Sequence, residues 1–278
     1  MKAILSPTDF SANAAVACRY AVMIAEKFGA KLTVYHAYHI KPGNPFTALD
    51  EVAKMEQAAA EKARKDLEDF IRRELTVKNV EVESVARMGL AVEDIVEFAE
   101  QHRYDLIVMG TRGADSLETK LLGTNSTAVL AQSRIPVAVI PMRDNVKSFA
   151  KILFAADLQP ESLTALPQVV DFARRFKAKL VVLHVSTENE KLDSAQIEER
   201  IRQIQAQIDY PDVEYYNFWF EGSVIEGLET YAEAEGADLV AMVTHTHRKN
   251  LFQRIFYPSM TGKMAALAHL PLLAVPTV

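Results

Sequence analysis

The chain has 278 residues, and at roughly 150 residues per domain this length predicts about two domains. A content of 49% hydrophobic and 24% charged residues is that of a globular protein and excludes a disordered chain or a fibre. The net charge is −6 and the sequence has no block of basic residues, which argues against general binding to nucleic-acid phosphates.

Compartment and membrane association are also constrained by the sequence. The apolar runs are well short of the roughly 18 residues that a membrane span needs. The first residues, MKAILSPTDFS, lack the apolar region of a signal peptide. With Cys18 as its one cysteine the chain cannot form an intrachain disulfide. We therefore expect a cytoplasmic protein in a reducing compartment.

Two copies of one unit follow each other in the sequence. Residues 3–9 resemble residues 151–157, and further along Gly89 has a counterpart in Gly222. The matches keep the same order through both copies, which indicates a duplication rather than chance. The predicted domains are residues 1–142 and residues 150–278, joined by a short polar linker at 143–148.

In the first copy, short apolar runs alternate with segments of helical period. From Ala17 to Phe28 the apolar residues share one helical face, with Gly29 at a C-terminal cap position. A second, longer helix carries an apolar stripe from Val52 to Ile71. The runs that we interpret as buried strands of a parallel sheet are Ala3–Ser6, Leu32–Ala37, Val80–Ala86, Leu106–Met109 and Val137–Ile140.

The second copy repeats this pattern with local differences. Pro167 falls inside its first helix, which should therefore begin late or kink. An aromatic-rich strand at 215–220 is expected to pack in the core or at the domain interface. Strand–helix alternation predicts an α/β protein of two tandem, doubly wound parallel-sheet domains packed as a pseudo-dimer. In such sheets ligands bind at the carboxyl ends of the strands.

A glycine-rich segment follows the fourth strand of the first copy. Gly110-Thr111-Arg112-Gly113 is followed by nine residues and then by Gly123-Thr124-Asn125-Ser126, which open a helical segment. Glycines allow backbone N–H groups to approach a phosphate closely. A helix N-terminus adds free N–H groups and a favourable dipole. The hydroxyls of Thr124 and Ser126 could donate to the same oxygens, and Arg112 and Lys120 could also reach them.

The spacing Gly-x2-Gly-x9-Gly-Ser/Thr resembles that of the universal stress protein family, in its ATP-binding branch. Both copies also show an Asp after the first strand, a His in the second strand and a last strand bounded by prolines. The chain therefore resembles a tandem universal stress protein, with a Rossmann-like fold in each half. The resemblance implies a stress-response protein that binds ATP in its first domain, with Mg2+ as an accompanying ion left open.

Site residues follow from the resemblance by position. Pro7, Thr8 and Asp9 would line the adenosine, and main-chain groups of Ala37 would meet the adenine. The residues implied at the ribose and the phosphates are Met109, Gly110, Gly113, Gly123, Thr124, Asn125 and Ser126. No catalytic residue and no metal ligand is assigned.

The second copy has lost the glycine-rich segment. Its three glycines are replaced by Val243, Thr246 and Pro258, although Asp157 remains. Two of the replacements are β-branched and resist strained backbone angles. We expect that this copy does not bind ATP in the family manner and instead packs against the first.

Four histidines are candidate functional residues. His36 and His184 occupy matched strand positions and are interpreted as structural. His245 and His247 could hold a metal or another anion, but no third metal ligand with suitable spacing is apparent, so a polar loop is favoured.

The sequence is compatible with three functions. The first is a nucleotide-binding regulatory protein. The second is a slow ATP hydrolase, since the sequence offers no Walker-type lysine and no acidic metal ligand spaced to the glycine-rich segment. The third is an ATP-independent interaction or ligand-carrier protein that acts through the second domain. The expected partner is an adenine nucleotide, with no nucleic acid and no membrane. Further homodimerisation is left open.

Overall fold

A computed structural model describes residues 1–40, 49–111, 123–142, 146–245 and 269–277. None of the helices in these ranges is both long and apolar enough to cross a membrane.

The first half alternates strands and helices. Ser11 caps the first helix by accepting a hydrogen bond from the Ala14 N–H, and Gly29 ends it in the left-handed conformation (φ 64°), as the sequence predicts. The elements are β1 (Ala3–Pro7), α1 (Ala12–Phe28), β2 (Lys31–Tyr38), α2 (Leu49–Glu74), β3 (Val82–Met88), α3 (Ala91–Gln101), β4 (Leu106–Gly110), α4 (Thr124–Gln132) and β5 (Val137–Ile140).

The second half repeats this order. A 3₁₀ helix at Pro160–Ala165 precedes α5, and Pro167 lies at the start of α5, so this helix begins late, as predicted. The elements are β6 (Lys151–Ala155), α5 (Leu166–Phe176), β7 (Lys179–Ser186), α6 (Ser194–Gln205), β8 (Val213–Trp219), α7 (Val224–Ala234), β9 (Leu239–His245) and β10 (Leu272–Thr277).

Within the described residues, ten strands form one continuous sheet in the order β3-β2-β1-β4-β5-β10-β9-β6-β7-β8. Each half is parallel and doubly wound. The two halves join where β5 pairs with β10 in the antiparallel direction, with Ala138 opposite Leu273. The pseudo-dimer predicted from the sequence is thus joined through its sheet, and the edges of β5 and β10 are covered.

Aromatic side chains join the halves on one face of this sheet. Phe149 is 1% exposed, and its ring lies 5.8 Å from that of Tyr20 and 5.0 Å from that of Phe176. The Phe28 and Phe172 rings, from α1 and α5, are 5.3 Å apart. A single buried cluster therefore extends across both halves.

Two predictions for the outer strands were wrong in part. The sequence predicts a buried strand from Val80, but the pairing of β3 with β2 begins at Val82, and all of its residues are half-buried or exposed because it is an edge strand. β8 is the opposite edge of the sheet, away from the domain junction. There Tyr216 and Trp219 are 42% and 60% exposed, rather than packed in the core or at the interface.

Candidate functional site

The candidate site lies at the carboxyl ends of β1 and β4. β1 pairs with β2 on one side, through Pro7 and Tyr35, and with β4 on the other, through Leu5 and Ile107. The chain continues from β1 to β2 and β3 in one direction and returns to place β4 on the other side. Strand order therefore reverses between β1 and β4, which is where open α/β sheets form a ligand crevice.

A hydrogen-bonded turn follows β1. The Thr8 N–H donates to the Tyr35 carbonyl at 2.8 Å, and the Thr8 hydroxyl oxygen accepts from the Phe10 N–H at 3.0 Å. Asp9 is exposed, and its carboxylate accepts from the Ser11 N–H at 3.0 Å. Phe10 adopts a φ of 66°, an uncommon conformation for a side chain of this size. These bonds hold the Asp9 carboxylate at the crevice.

His36 and Ala37 adjoin this turn from β2. The His36 Nδ1 donates to the Thr8 carbonyl at 2.8 Å, which confirms the structural role predicted for this histidine. Ala37 is half-buried next to it and pairs with Arg87 of β3. The main chain of Ala37 thus lies beside the turn that carries Asp9.

The end of β4 leaves little space for a side chain. A Cβ at Gly110 would lie 3.0 Å from both Cγ and Oδ1 of Asn13, a tight contact that Asn13 would have to relieve by moving. Asn13 is buried and donates through Nδ2 to the Thr111 hydroxyl at 3.0 Å. Asn13 was not identified from the sequence. The one available signal was an amide at the start of an otherwise apolar helix face.

Met109, the preceding residue, packs its side chain in the core. It is 6% exposed and belongs to a buried cluster with Phe98 and Val129. Only the main chain of Met109 is therefore placed to border a ligand at the end of β4.

The N-terminus of α4 is attached to the end of β4, and no side chain of the described residues caps it. Gly123 is its N-cap, in extended conformation, and offers no side chain to cap the helix. The first turn carries no acidic residue. The Ser126 hydroxyl donates to the Gly110 carbonyl at 2.7 Å, which ties the helix start to the strand end. The first N–H groups of a helix have no partner within the helix, and together with the helix dipole they suit an anion.

The predicted hydroxyl donors differ in their surroundings. Thr124 and Asn125 are exposed, whereas Ser126 is 3% exposed and its proton is used by Gly110. In this arrangement Ser126 positions the helix rather than offering a free hydroxyl.

Not every predicted residue can be compared with the structure. The structure brings together the turn after β1, the end of β2, the end of β4 and the start of α4. Gly113, Arg112 and Lys120 lie outside the described residues, as do Thr246, His247 and Pro258 of the second half. The proposed metal or anion at His245 and His247 falls there too, because the side chain of His245 is not described.

The second half keeps the turn but not the glycine. The Ala156 N–H donates to the Leu183 carbonyl at 2.8 Å, the Asp157 carboxylate accepts from the Gln159 N–H at 3.0 Å, and Leu158 has a φ of 56°. The residue that aligns with Gly110 is Val243, which is 1% exposed.

His184 and Glu190 close the end of β7 beside that turn. The ring of His184 bonds the Ala156 carbonyl through Nδ1 at 2.9 Å and the Glu190 carboxylate through Nε2 at 3.0 Å, which confirms a structural role. Burial acts to raise the pKa of Glu190. Hydrogen bonds from the N–H groups of Leu192 and Lys191 and from the His184 ring outweigh it, and the pKa lies below its ordinary value.

Comparison with known proteins agrees with this architecture. The sequence model of the universal stress protein family matches the chain twice, at residues 1–141 and 148–276. The chain belongs to the universal stress protein family. Since both matches are to one family, this is a tandem universal stress protein.

Individual relatives match one half or the whole chain. A universal stress protein of Methanocaldococcus jannaschii is 33% identical over 50% of this chain and 81% of its own. One of Mycolicibacterium smegmatis is 28% identical over 98% of this chain and 96% of its own. The crystal structure of a universal stress protein from Archaeoglobus fulgidus covers 99% of this chain and 96% of its own, with a TM-score of 0.72 at 20% identity, which shows the shared fold.

Proposed function

We propose that this universal stress protein binds ATP in its first half and acts as a nucleotide-binding regulatory protein. The observation that carries the proposal is the N-terminus of α4, which no side chain of the described residues caps and which is held against the glycine that ends β4 at the point where strand order reverses. Such an end binds phosphate through backbone N–H groups and the helix dipole.

The residues have distinct roles in this proposal. The main-chain N–H groups of Thr124 and Asn125 meet the phosphates, with Gly113 completing the segment. The Gly123 N–H donates to the Thr111 carbonyl, so Gly123 positions the start of the helix beside the phosphates. Gly110 leaves the space that a side chain would close. Pro7, Thr8 and Asp9 line the adenosine, where the Asp9 carboxylate accepts from the ribose or the base. Ala37 offers main-chain groups to the adenine, and Met109 borders the ribose through its main chain. Mg2+ would accompany the phosphates.

Regulation is favoured over catalysis. Hydrolysis requires a positioned water, a base and stabilisation of the developing charge. The sequence has no Walker-type lysine, so any turnover is expected to be slow. The second half, with Val243 at the strand end, binds no ATP in this manner and stabilises the first half through the shared sheet and core.

One substitution tests the helix N-terminus without disturbing the fold. Proline is tolerated at the first position of a helix, where its missing N–H has no intrahelical partner. Gly123, in extended conformation (φ −65°, ψ 157°), also suits a following proline. Thr124→Pro therefore removes one amide donor, together with the Thr124 hydroxyl, from the proposed phosphate site.

We expect Thr124→Pro to weaken ATP binding about 10- to 100-fold by calorimetry in Mg2+, as for a lost hydrogen bond to a charged group. The matched control is Ala91→Pro at the start of α3, which also follows an extended residue, and it should leave the affinity unchanged. ATP binding that is absent in the unmodified protein, or unaffected by Thr124→Pro, would contradict the proposal. Release of ADP in the same samples measures hydrolysis.

A further inference from the structure

A cluster of three potential metal ligands lies in the second half, away from the crevice. Glu229 and Glu233 are one turn apart on α7, and His269 stands three residues before β10. One ligand atom from each of the three lies within 4.8 Å of the other two. The His269 Nε2 is 3.3 Å from a carboxylate oxygen of Glu233.

We propose that Glu229, Glu233 and His269 bind a divalent first-row transition metal of the Zn2+ type. Bonds of roughly 2.0–2.2 Å to tetrahedral zinc place its ligand atoms about 3.4 Å apart. The His269–Glu233 separation matches this value, and a carboxylate oxygen of the half-buried Glu229, within 4.8 Å of the other two ligand atoms, is the third ligand.

The backbone that carries these side chains is fixed by one buried cluster. Leu228 and Ala232, on the inner face of α7, are 2% and 0% exposed, and Leu270, next to His269, is 8% exposed. All three belong to the same cluster. The Pro271 carbonyl also accepts from the Val240 N–H at 2.9 Å. The two segments that supply the ligands are therefore held together before any metal binds.

The first half has the same scaffold without the ligands. By alignment, the residues at these positions are Val96, Glu100 and Arg134. The Pro136 carbonyl accepts from the Ile107 N–H at 2.9 Å, as Pro271 accepts from Val240. Two substitutions, of valine by glutamate and of arginine by histidine, thus convert a set with one ligand into a set with three. The fold by itself does not require either change.

The donor set selects the class of metal. One imidazole nitrogen and two carboxylate oxygens suit zinc and its first-row neighbours, whereas Mg2+ and Ca2+ prefer oxygen ligands alone. Three protein ligands leave a fourth position open for water or for a group from another molecule. Within the described part of the chain, the ion pair of Glu233 is with His269, itself a ligand of the proposed site.

The site can be tested on the intact chain with Zn2+ alone, in the absence of nucleotide and Mg2+. The informative variant is Glu229→Val with His269→Arg, which installs the residues of the first half at exposed or half-exposed positions. Glu100→Gln is the matched control, because it changes the equivalent helix position in the half that lacks the ligand set. Circular dichroism establishes that the variants fold.

We expect calorimetry to show Zn2+ binding that the double variant weakens at least about 100-fold and that Glu100→Gln leaves unchanged, since removing ligands should cost at least as much as the 10- to 100-fold loss seen for outer-shell partners. Zn2+ should raise the melting temperature of the unmodified protein but not of the double variant. Equal Zn2+ affinity in both proteins would overturn the proposal and place the metal elsewhere. Absence of Zn2+ binding in the unmodified protein would also overturn the proposal and show that His269 and Glu233 form an ion pair only.

Discussion

The ends of β4 and β9 occupy equivalent places in the two halves, but a glycine is found at only one of them. Each strand lies between two parallel neighbours at the centre of its half. The strand beside it, β1 or β6, is followed by the same turn, in which Asp9 or Asp157 accepts a backbone N–H. Gly110 ends one strand, and Val243 stands in the other. The turn and its aspartate are therefore features of the fold, and the glycine distinguishes the proposed nucleotide site.

The two halves differ in the opposite sense at the helices α3 and α7. There the second half carries the additional chemistry, because Glu229 and His269 replace Val96 and Arg134 on an unchanged scaffold. Each copy has thus kept the shared backbone contacts. The side chains that differ lie at the carboxyl end of β4 or β9 in one comparison and on α3 or α7 and before β5 or β10 in the other.

The largest expected effect comes from loosening the junction that the two halves share. Phe149→Ala removes a ring that is 1% exposed and packed against Tyr20 and Phe176. We expect the free energy of unfolding to fall by about 3–5 kcal/mol in urea denaturation. Because one buried cluster spans both halves, near-UV and far-UV signals should be lost together. Two separate transitions, or a loss under about 1 kcal/mol, would show that the halves are stable independently.

Substitution of Gly110, the residue that distinguishes the two strand ends, is expected to have the next largest effect, on ATP binding. Gly110→Val places a Cβ 3.0 Å from the Asn13 side chain, and the resulting shift at the strand end should weaken ATP binding about 10- to 100-fold in a calorimetric titration. The reciprocal change, Val243→Gly, should create no second ATP site, because the rest of the glycine-rich segment is missing from that half. Unchanged affinity in a folded Gly110→Val variant would remove the basis of the comparison.

The hydrogen bond between Glu190 and His184, at the end of β7, is expected to contribute less to the stability of the protein. Glu190→Gln removes the negative charge that faces the His184 ring and should lower the free energy of unfolding by about 1–2 kcal/mol at neutral pH. Since the native pKa of Glu190 is lowered, this difference is present above its ordinary value of 4.5 and is lost as the pH falls below it.

Glu188→Gln, at an exposed position on the same segment, is the control and should have no such pH dependence. The two variants and the unmodified protein are compared by denaturation curves measured from about pH 3 to about pH 7, at steps of roughly one pH unit. Equal stability of Glu190→Gln and the unmodified protein at neutral pH would show that the contact with His184 does not stabilise the second half.

The smallest effect is expected at the outer edge of the sheet. Trp219 on β8 is 60% exposed, so Trp219→Ala should change the free energy of unfolding by less than about 0.5 kcal/mol. A loss above about 1 kcal/mol that depends on protein concentration would instead indicate that a second copy of the chain covers this edge.

Much of the fold is predictable from local sequence. The two copies, the order of strands and helices and the late start of α5 follow from spacing, apolar periodicity, and Gly and Pro positions, because these act over a few residues. Of the site, the turn at Asp9, the end of β4 and the start of α4 were also expected to lie together, since parallel strands bring their carboxyl ends to one edge.

The contacts between distant residues were decided only by the tertiary structure. Periodicity does not reveal which strand is an edge, so the exposure of β3 and of Trp219 was missed. Nor does it pair residues far apart in the chain, such as Asn13 with Thr111 or Glu233 with His269. Local preferences determine which elements form, whereas side chains from separate elements meet only where packing of the whole sheet brings them together.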